Sequence, residues 1–345
     1  MRRLILDKII SVDGLVKRFE PDLTAVDDIS FHVFRGEIFG FLGPNGAGKS
    51  TTIKILTTLL KKTSGKVLID NLDLDGREGD IRNIIGYASQ DIGVDDDLTA
   101  RENLKLQCRF YHVPKQEIDG RVNEIMETVG LMEAADRKAG TYSGGMKKRL
   151  DLAASLVSMP KLLFLDEPTT GLDPQNRKAI WDYIEKLNRG GMTIFLTTQY
   201  MEEADHLADR LSIIDQGKIV AEGTPSDLKA QIGADLIEVK LKDEMTEEIR
   251  DGAIEVIEKI PGVKEVQECE IEMIDCNKVL IIFGDNGGIL VPQIVRALDS
   301  LNLNIDHLTL SPPSLDDVFL KFTGRKLKVE EVKPPTRRMR RRGRR

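Results

Sequence analysis

An α/β domain followed by a small α+β domain is predicted from three observations. From Ile9 to about Thr224, short β-rich apolar runs alternate with segments of helical periodicity, the pattern of parallel strands joined by helices. Gly43 to Ser50 has the form GxxxxGK[ST] at a strand-to-helix junction. After Gly223 and Pro225 the order becomes strand, helix, strand, strand, helix, strand, the split arrangement of ferredoxin-like folds.

In chain order, Ile38–Leu42 reads as a strand, Ser50–Leu60 as a helix and Ile84–Ala88 as a strand. A mostly helical insertion over about 97–156 contains Glu102–Tyr111 and Ile118–Val129. Four apolar residues at Leu162–Leu165 form a fully buried strand, and Thr193–Thr198 forms another. Between them Asn176–Leu187 is a helix with Ile180, Trp181, Ile184 and Leu187 on one face, so Trp181 is core. The second domain has strands at Leu236–Leu241, Val263–Cys269, Lys278–Phe283 and Ile305–Leu310, with helices at Thr246–Ile260 and Ile289–Leu301. The divisions expected are 1–228, 234–325 and a tail, 326–345.

The composition excludes several classes. Cys108, Cys269 and Cys276 are the three cysteines, and without a CxxC spacing they form neither a disulfide framework nor a zinc site. The longest apolar runs, such as Val279–Phe283, fall well short of the ~20 residues needed to cross a bilayer. Asp7 and Lys8 interrupt the apolar core that a secretory leader requires. Seven arginines, Arg337, Arg338, Arg340, Arg341, Arg342, Arg344 and Arg345, crowd the last nine positions, and removing their charge takes the formal −7 of the chain to −14 for residues 1–336. An acidic body is poorly suited to nucleic acid, so a nucleic-acid partner is not expected. The tail reads as a solvated end after Pro334 and Pro335, or as a local contact for anionic lipid or RNA.

The chemistry concentrates at two places. In Gly43-Pro44-Asn45-Gly46-Ala47-Gly48-Lys49-Ser50 the glycines let backbone N–H groups curl round phosphate oxygens, and the helix that follows adds its dipole. Lys49 supplies charge to the terminal phosphates and the Ser50 hydroxyl is placed for magnesium, with Thr51 and Thr52 supporting the loop end. The strand Leu162–Leu165 then delivers Asp166 and Glu167 to its carboxyl edge, where open α/β sheets bind ligands. Asp166 suits magnesium; Glu167 suits orientation or deprotonation of an attacking water.

With these residues the chain resembles the nucleotide-binding subunit of an ABC transporter, a P-loop ATPase domain with a helical signature subdomain. Tyr142-Ser143-Gly144-Gly145-Met146 is similar to the LSGGQ signature, retaining Ser-Gly-Gly. The resemblance implies that Ser143, Gly144 and Gly145 close on the γ-phosphate held by a second copy. It implies a glutamine loop at Gln90, contacting magnesium and water, and a D-loop at Gly171-Leu172-Asp173 with Asp173 on the dimer seam. Phe19 resembles the aromatic that stacks on adenine, and is also readable as a core phenylalanine. Where the family has a switch histidine this chain has Gln199, which donates a hydrogen bond but carries neither proton nor positive charge. His206 lies ~10 Å further along a helix at ~1.5 Å per residue, too far to substitute.

Gln199, the run Pro312-Pro313-Ser314-Leu315-Asp316-Asp317-Val318-Phe319 and Thr323-Gly324-Arg325 resemble the daunorubicin-resistance type of drug-efflux ATPase. That resemblance implies ATP and Mg2+ as cofactors, a homodimer closing head to tail, and a separate multispanning permease exporting a drug-like or amphipathic compound. The protein is then cytoplasmic, peripheral on the cell membrane through that permease. One rival is an ABC ATPase working on the ribosome or nucleic acid; a single nucleotide domain and an acidic body oppose it. Another is an ATP-controlled regulator whose second domain binds a ligand, a binding, dimerisation or regulatory role being open to that domain on fold analogy.

Overall fold

The computed structural model describes residues 7–232, 235–242, 246–268 and 279–324. The first domain is built on a six-stranded sheet. Its strands are β3 (Ile38–Leu42), β6 (Ile85–Ala88), β7 (Leu162–Asp166), β8 (Thr193–Thr198), β9 (Arg210–Asp215) and β10 (Lys218–Gly223), in the order β10-β9-β3-β8-β7-β6. All neighbours are parallel except the β9–β10 hairpin. The parallel strands β3, β7 and β8 are buried on both faces, as their unbroken apolar runs require.

A second, antiparallel sheet lies against this one, with β1 (Lys8–Phe19), β2 (Leu23–Phe34), β4 (Ser64–Ile69) and β5 (Leu72–Asp73) in the order β2-β1-β4-β5. The sequence pattern marks strands there without revealing a separate sheet. Alternation in β3 explains the join: Phe39 and Phe41 turn to the antiparallel sheet and stack with Phe31 and Phe195 at centroid distances of 5.4 to 6.0 Å, while Ile38 and Leu42 face helical layers.

Helix α1 (Lys49–Leu56) follows β3, and is shorter than the apolar pattern to Leu60 predicts. Thr57 turns its hydroxyl back to the Ile53 carbonyl and Thr58 takes φ +64°, ending the helix. A short helix, α2 (Glu78–Arg82), precedes β6. The helical insertion consists of α3 (Ala100–Phe110), α4 (Ile118–Thr128) and α5 (Gly144–Ser155), packed through Leu104, Cys108, Val122, Met126 and Leu150. Thr99 and Glu102 form a reciprocal capping box that starts α3. Helices α6 (Pro174–Arg189), α7 (Met201–Leu207) and α8 (Pro225–Ile232) complete the domain.

The C-terminal sheet contains β11 (Asp235–Leu241), β12 (Val263–Glu268), β13 (Val279–Gly284) and β14 (Ile305–Ser311) in the order β12-β13-β11-β14, with every described neighbour antiparallel. With α9 (Glu247–Glu258) and α10 (Gly287–Ser300) this is the ferredoxin-like topology. Period-2 alternation divides its faces: Leu280 and Ile282 pack with α9 and α10, whereas Ile281 and Phe283 face the first domain. A further helix, α11 (Leu315–Thr323), starts in the Ser314–Asp317 capping box. It buries Leu315, Val318 and Phe319 with Met201, Ala204 and Leu228, so one apolar cluster spans both domains. No helix among the described residues is long and apolar enough to cross a membrane. Cys269, Cys276 and the arginine tail lie outside the described residues.

Candidate active site

Three loops meet at the carboxyl edge of the parallel sheet. Register sets Leu42 beside Thr198 and Asp166 beside Thr197, so the segments that follow β3, β7 and β8 emerge together. The Gly43 amide donates to the Thr198 carbonyl at 3.2 Å, tying the phosphate loop to the end of β8. A Cβ on Gly43 would collide with the Ile214 carbonyl oxygen; at Gly48, φ is +106° and a Cβ would meet that of Ala25. These two glycines are dictated by close backbone approach.

Lys49 is almost fully buried. Its Nζ donates to the carbonyls of Gly43 at 2.7 Å and Pro44 at 3.0 Å and lies 3.2 Å from Glu167 Oε1. Burial pushes the ammonium below the usual lysine range, opposed by the Glu167 charge. Ser50 Oγ donates to Asp166 Oδ1 at 3.1 Å, and Thr197 Oγ1 donates to the same oxygen at 2.6 Å. Glu167 stands at φ +46°, a left-handed conformation strained for a non-glycine residue, held by bonds from its amide to the Thr197 carbonyl and hydroxyl, both 3.1 Å. Its Oε2 accepts from Thr170 Oγ1 at 3.1 Å and Gln90 Nε2 at 3.4 Å.

A cavity of about 480 Å³ opens here, lined by Pro44, Asn45, Gly46, Gly48, Lys49, Ser50, Thr51, Gln90 and Glu167, with Phe19 at its rim. Phe19 is 37% exposed, the last residue of β1, under the Lys17 ammonium at 4.8 Å from its ring centroid; it is therefore not a core phenylalanine. Ala47 is buried and its carbonyl accepts from the Gly217 amide. Thr52 is fully buried with its hydroxyl donating to the Gly48 carbonyl, so it supports the loop from behind and does not line the cavity. The side chain of Gln199 is buried and its Oε1 has no partner among the described residues. His206 lies elsewhere, against Trp181 and 3.5 Å from Glu185.

Ser143, Gly144 and Gly145 are not among the residues lining this cavity. Ser143 and Gly144 are exposed, and Ser143 caps α5 by accepting from the Met146 amide at 3.3 Å. Gly145 packs so closely on Asn176 that a Cβ would clash, and Asp173 caps α6 through the Asn176 amide at 3.0 Å. The start of α5 thus packs on the start of α6, and neither Ser143–Gly145 nor Asp173 lines the cavity beside the phosphate loop. The Asn176 bonds also hold the Asp173 carboxyl below the usual range.

Several residues of the site lack a sequence signal. Thr197 and Thr170 orient the two carboxylates, and Gln216 and Gly217 of the β9–β10 turn line the cavity. Glu203 is fully buried, its Oε1 accepting from Thr169 Oγ1 at 2.8 Å and Trp181 Nε1 at 3.0 Å. Burial pushes its carboxyl up. Only the adjacency of these residues to the motifs could have flagged them.

Comparison with known proteins gives the family. The family model "ABC transporter" matches residues 26–170, and that of the "ATP-binding protein DrrA1-3-like, C-terminal domain" matches residues 223–323. The chain is 39% identical over 327 residues to the daunorubicin resistance ATP-binding protein DrrA3 of Streptomyces coeruleorubidus, covering 94% of this chain and 99% of that protein. The chain belongs to the ATP-binding subunits of ABC transporters. Another such subunit, the Nod factor export ATP-binding protein I of Burkholderia pseudomallei, is 38% identical over 319 residues, 92% of this chain and 98% of that one. Among solved structures, the ATP-binding cassette MJ0796, a dimer in a post-hydrolysis state bound to ADP and Pi, superposes with a TM-score of 0.56 at 28% identity, covering 62% of this chain and 98% of that one. As an ABC subunit the protein binds ATP and is an ATPase.

Proposed function

We propose that two copies close head to tail around two ATP molecules, and that this closure and its release drive export through a separate membrane permease. The observation that carries the reading is the convergence of Lys49, Ser50, Asp166 and Glu167 at one sheet edge, while Ser143 and Gly144 face outward on another surface. A phosphate site and a signature that do not meet within one chain are satisfied by a second chain. Similarity along nearly the whole length to a daunorubicin resistance protein supports a drug-like or amphipathic cargo.

The loop amides and Lys49 bind and neutralise the phosphates, and Lys49 exchanges its contact with Glu167 for the γ-phosphate. That exchange frees the Glu167 carboxylate to take a proton from the attacking water, with Gln90 and Thr170 fixing its rotamer. Gln199 is buried beyond the end of β8 and is not among the residues lining the cavity; its amide can donate a hydrogen bond but gives no acid-base service, so the proton is left to Glu167. The hydroxyl of Ser50, the carboxylate of Asp166 and the amide of Gln90 are hard oxygen donors that would hold Mg2+. Bound there, Mg2+ supplies neutralisation of charge on the phosphate oxygens. Among the described residues no cluster of three His, Cys, Asp or Glu competes for a metal.

Affinity capture of the tagged protein from gently solubilised native membranes, with and without MgATP, tests the reading. A multispanning protein is the expected companion. Ribosomes or nucleic acid in its place would overturn it.

A further inference from the structure

Lys148 lies in α5, five residues after Ser143, and only 3% of it is exposed. Its Nζ donates to the carbonyls of Ser89 at 2.9 Å and Gln90 at 3.3 Å. One turn on, Asp151 is also buried, and its Oδ1 accepts from the Gly93 amide at 2.9 Å. The two side chains are 3.9 Å apart. One face of α5 therefore grips both ends of the 89–93 segment, the loop that presents Gln90 Nε2 to Glu167.

A loop with few bonds of its own leaves its side chains conformationally free, and ordering it has an entropic cost. Burying an ammonium is unfavourable unless its donors are matched, and here the matching acceptors are two consecutive loop carbonyls. An apolar residue would fill the same space in α5 without holding the loop. The helix that does the holding begins at Ser143 and Gly144, the exposed segment expected to meet the second copy.

We propose that Lys148 and Asp151 are positioning residues that fix Gln90 against Glu167 and bind the glutamine loop and the signature segment into one moving unit. This rests on the reading of Gln90 as a contact for the metal and attacking water. Contact at Ser143 is then transmitted through α5 to the backbone of Ser89 to Gly93, the segment that carries Gln90.

The test is a double-mutant cycle on the MgATP turnover of the full chain, with Gln90→Ala, Lys148→Met, their combination and Lys148→Arg. Each of the first two is expected to lower kcat about tenfold with KM for ATP within about twofold, and the double variant to be no slower than Gln90→Ala alone. Lys148→Arg, which keeps the donors, is expected to restore most of the rate. Losses that multiply in the double variant, a loss confined to KM, or failure of the arginine to rescue would overturn the proposal. An unchanged kcat for Gln90→Ala would instead overturn the reading of Gln90. Should Lys148→Met not fold, Lys148→Gln, a polar side chain too short to reach the Ser89 and Gln90 carbonyls as Nζ does, carries the same cycle with the same criterion of non-multiplying losses.

Discussion

Lys49 and Glu167 form an ion pair at 3.2 Å with both side chains shielded from solvent, joining the phosphate loop to the carboxylate that follows β7. Removing one partner of a buried pair leaves the other charge without compensation, which destabilises by on the order of 3 kcal/mol. Lys49→Met is therefore expected to lower stability in nucleotide-free buffer, and Lys49→Met with Glu167→Gln to recover much of it. Urea denaturation of the two variants checks this; equal losses in both would show that the pair is not coupled.

Gln199 stands at the end of β8 with its Oε1 unpartnered among the described residues. Its replacement by alanine is expected to lower kcat by about tenfold, the loss of one hydrogen bond to developing charge, and to change ATP affinity by less than about twofold. Steady-state kinetics beside nucleotide-binding titrations separate the two. An unchanged kcat would remove Gln199 from the reacting site.

Ser143 is exposed and takes no part in the chain's own cavity. Ser143→Arg, a bulky side chain at the outward-facing cap, is expected to leave ATP binding by the monomer intact and to abolish turnover that depends on a second copy. Specific activity that rises with protein concentration in the wild type should become flat and near zero. Retained concentration-dependent activity would place the signature elsewhere.

Glu203 gives a pH dependence whose sign follows from its burial. Its carboxyl titrates above the 4.5 of a free glutamate, so above that pH the unfolded chain has lost the proton that the folded chain still holds. The contribution of Glu203 is present in full below pH 4.5 and is lost as pH rises through the folded value. Glu203→Gln removes the titration. The fall in urea midpoint between pH 5 and pH 8 is expected to be smaller in the variant than in the wild type; identical falls would mean that Glu203 titrates normally.

Much of this site is legible in the sequence because its chemistry is local. Gly43 to Ser50 compress a turn, a run of amides and a charged tip into eight consecutive residues, and Asp166 and Glu167 end an apolar run whose burial fixes where they emerge. Thr197, Glu203 and Lys148 escape notice because their partners lie 31, 34 and 59 residues away, and no periodicity encodes such a meeting. The antiparallel sheet under Phe31 is hidden for a related reason: a period of two marks a strand and one buried face but not which sheet receives it. The ferredoxin-like unit is readable from element order alone. Its attachment through α11 depends on Leu315, Val318 and Phe319 meeting Met201, Ala204 and Leu228, far earlier in the chain.

The central claim is that each site is completed by a second copy and emptied by the Glu167 base. Glu167→Gln keeps the acceptor for Thr170 and loses the proton acceptor, so turnover should fall by at least about a hundredfold while ATP still binds. The decisive measurement is the mass of this variant in solution by size exclusion with light scattering, with and without MgATP. A monomer that becomes a dimer only on adding MgATP is the predicted result. A monomer under saturating MgATP, with ATP bound, would contradict shared sites.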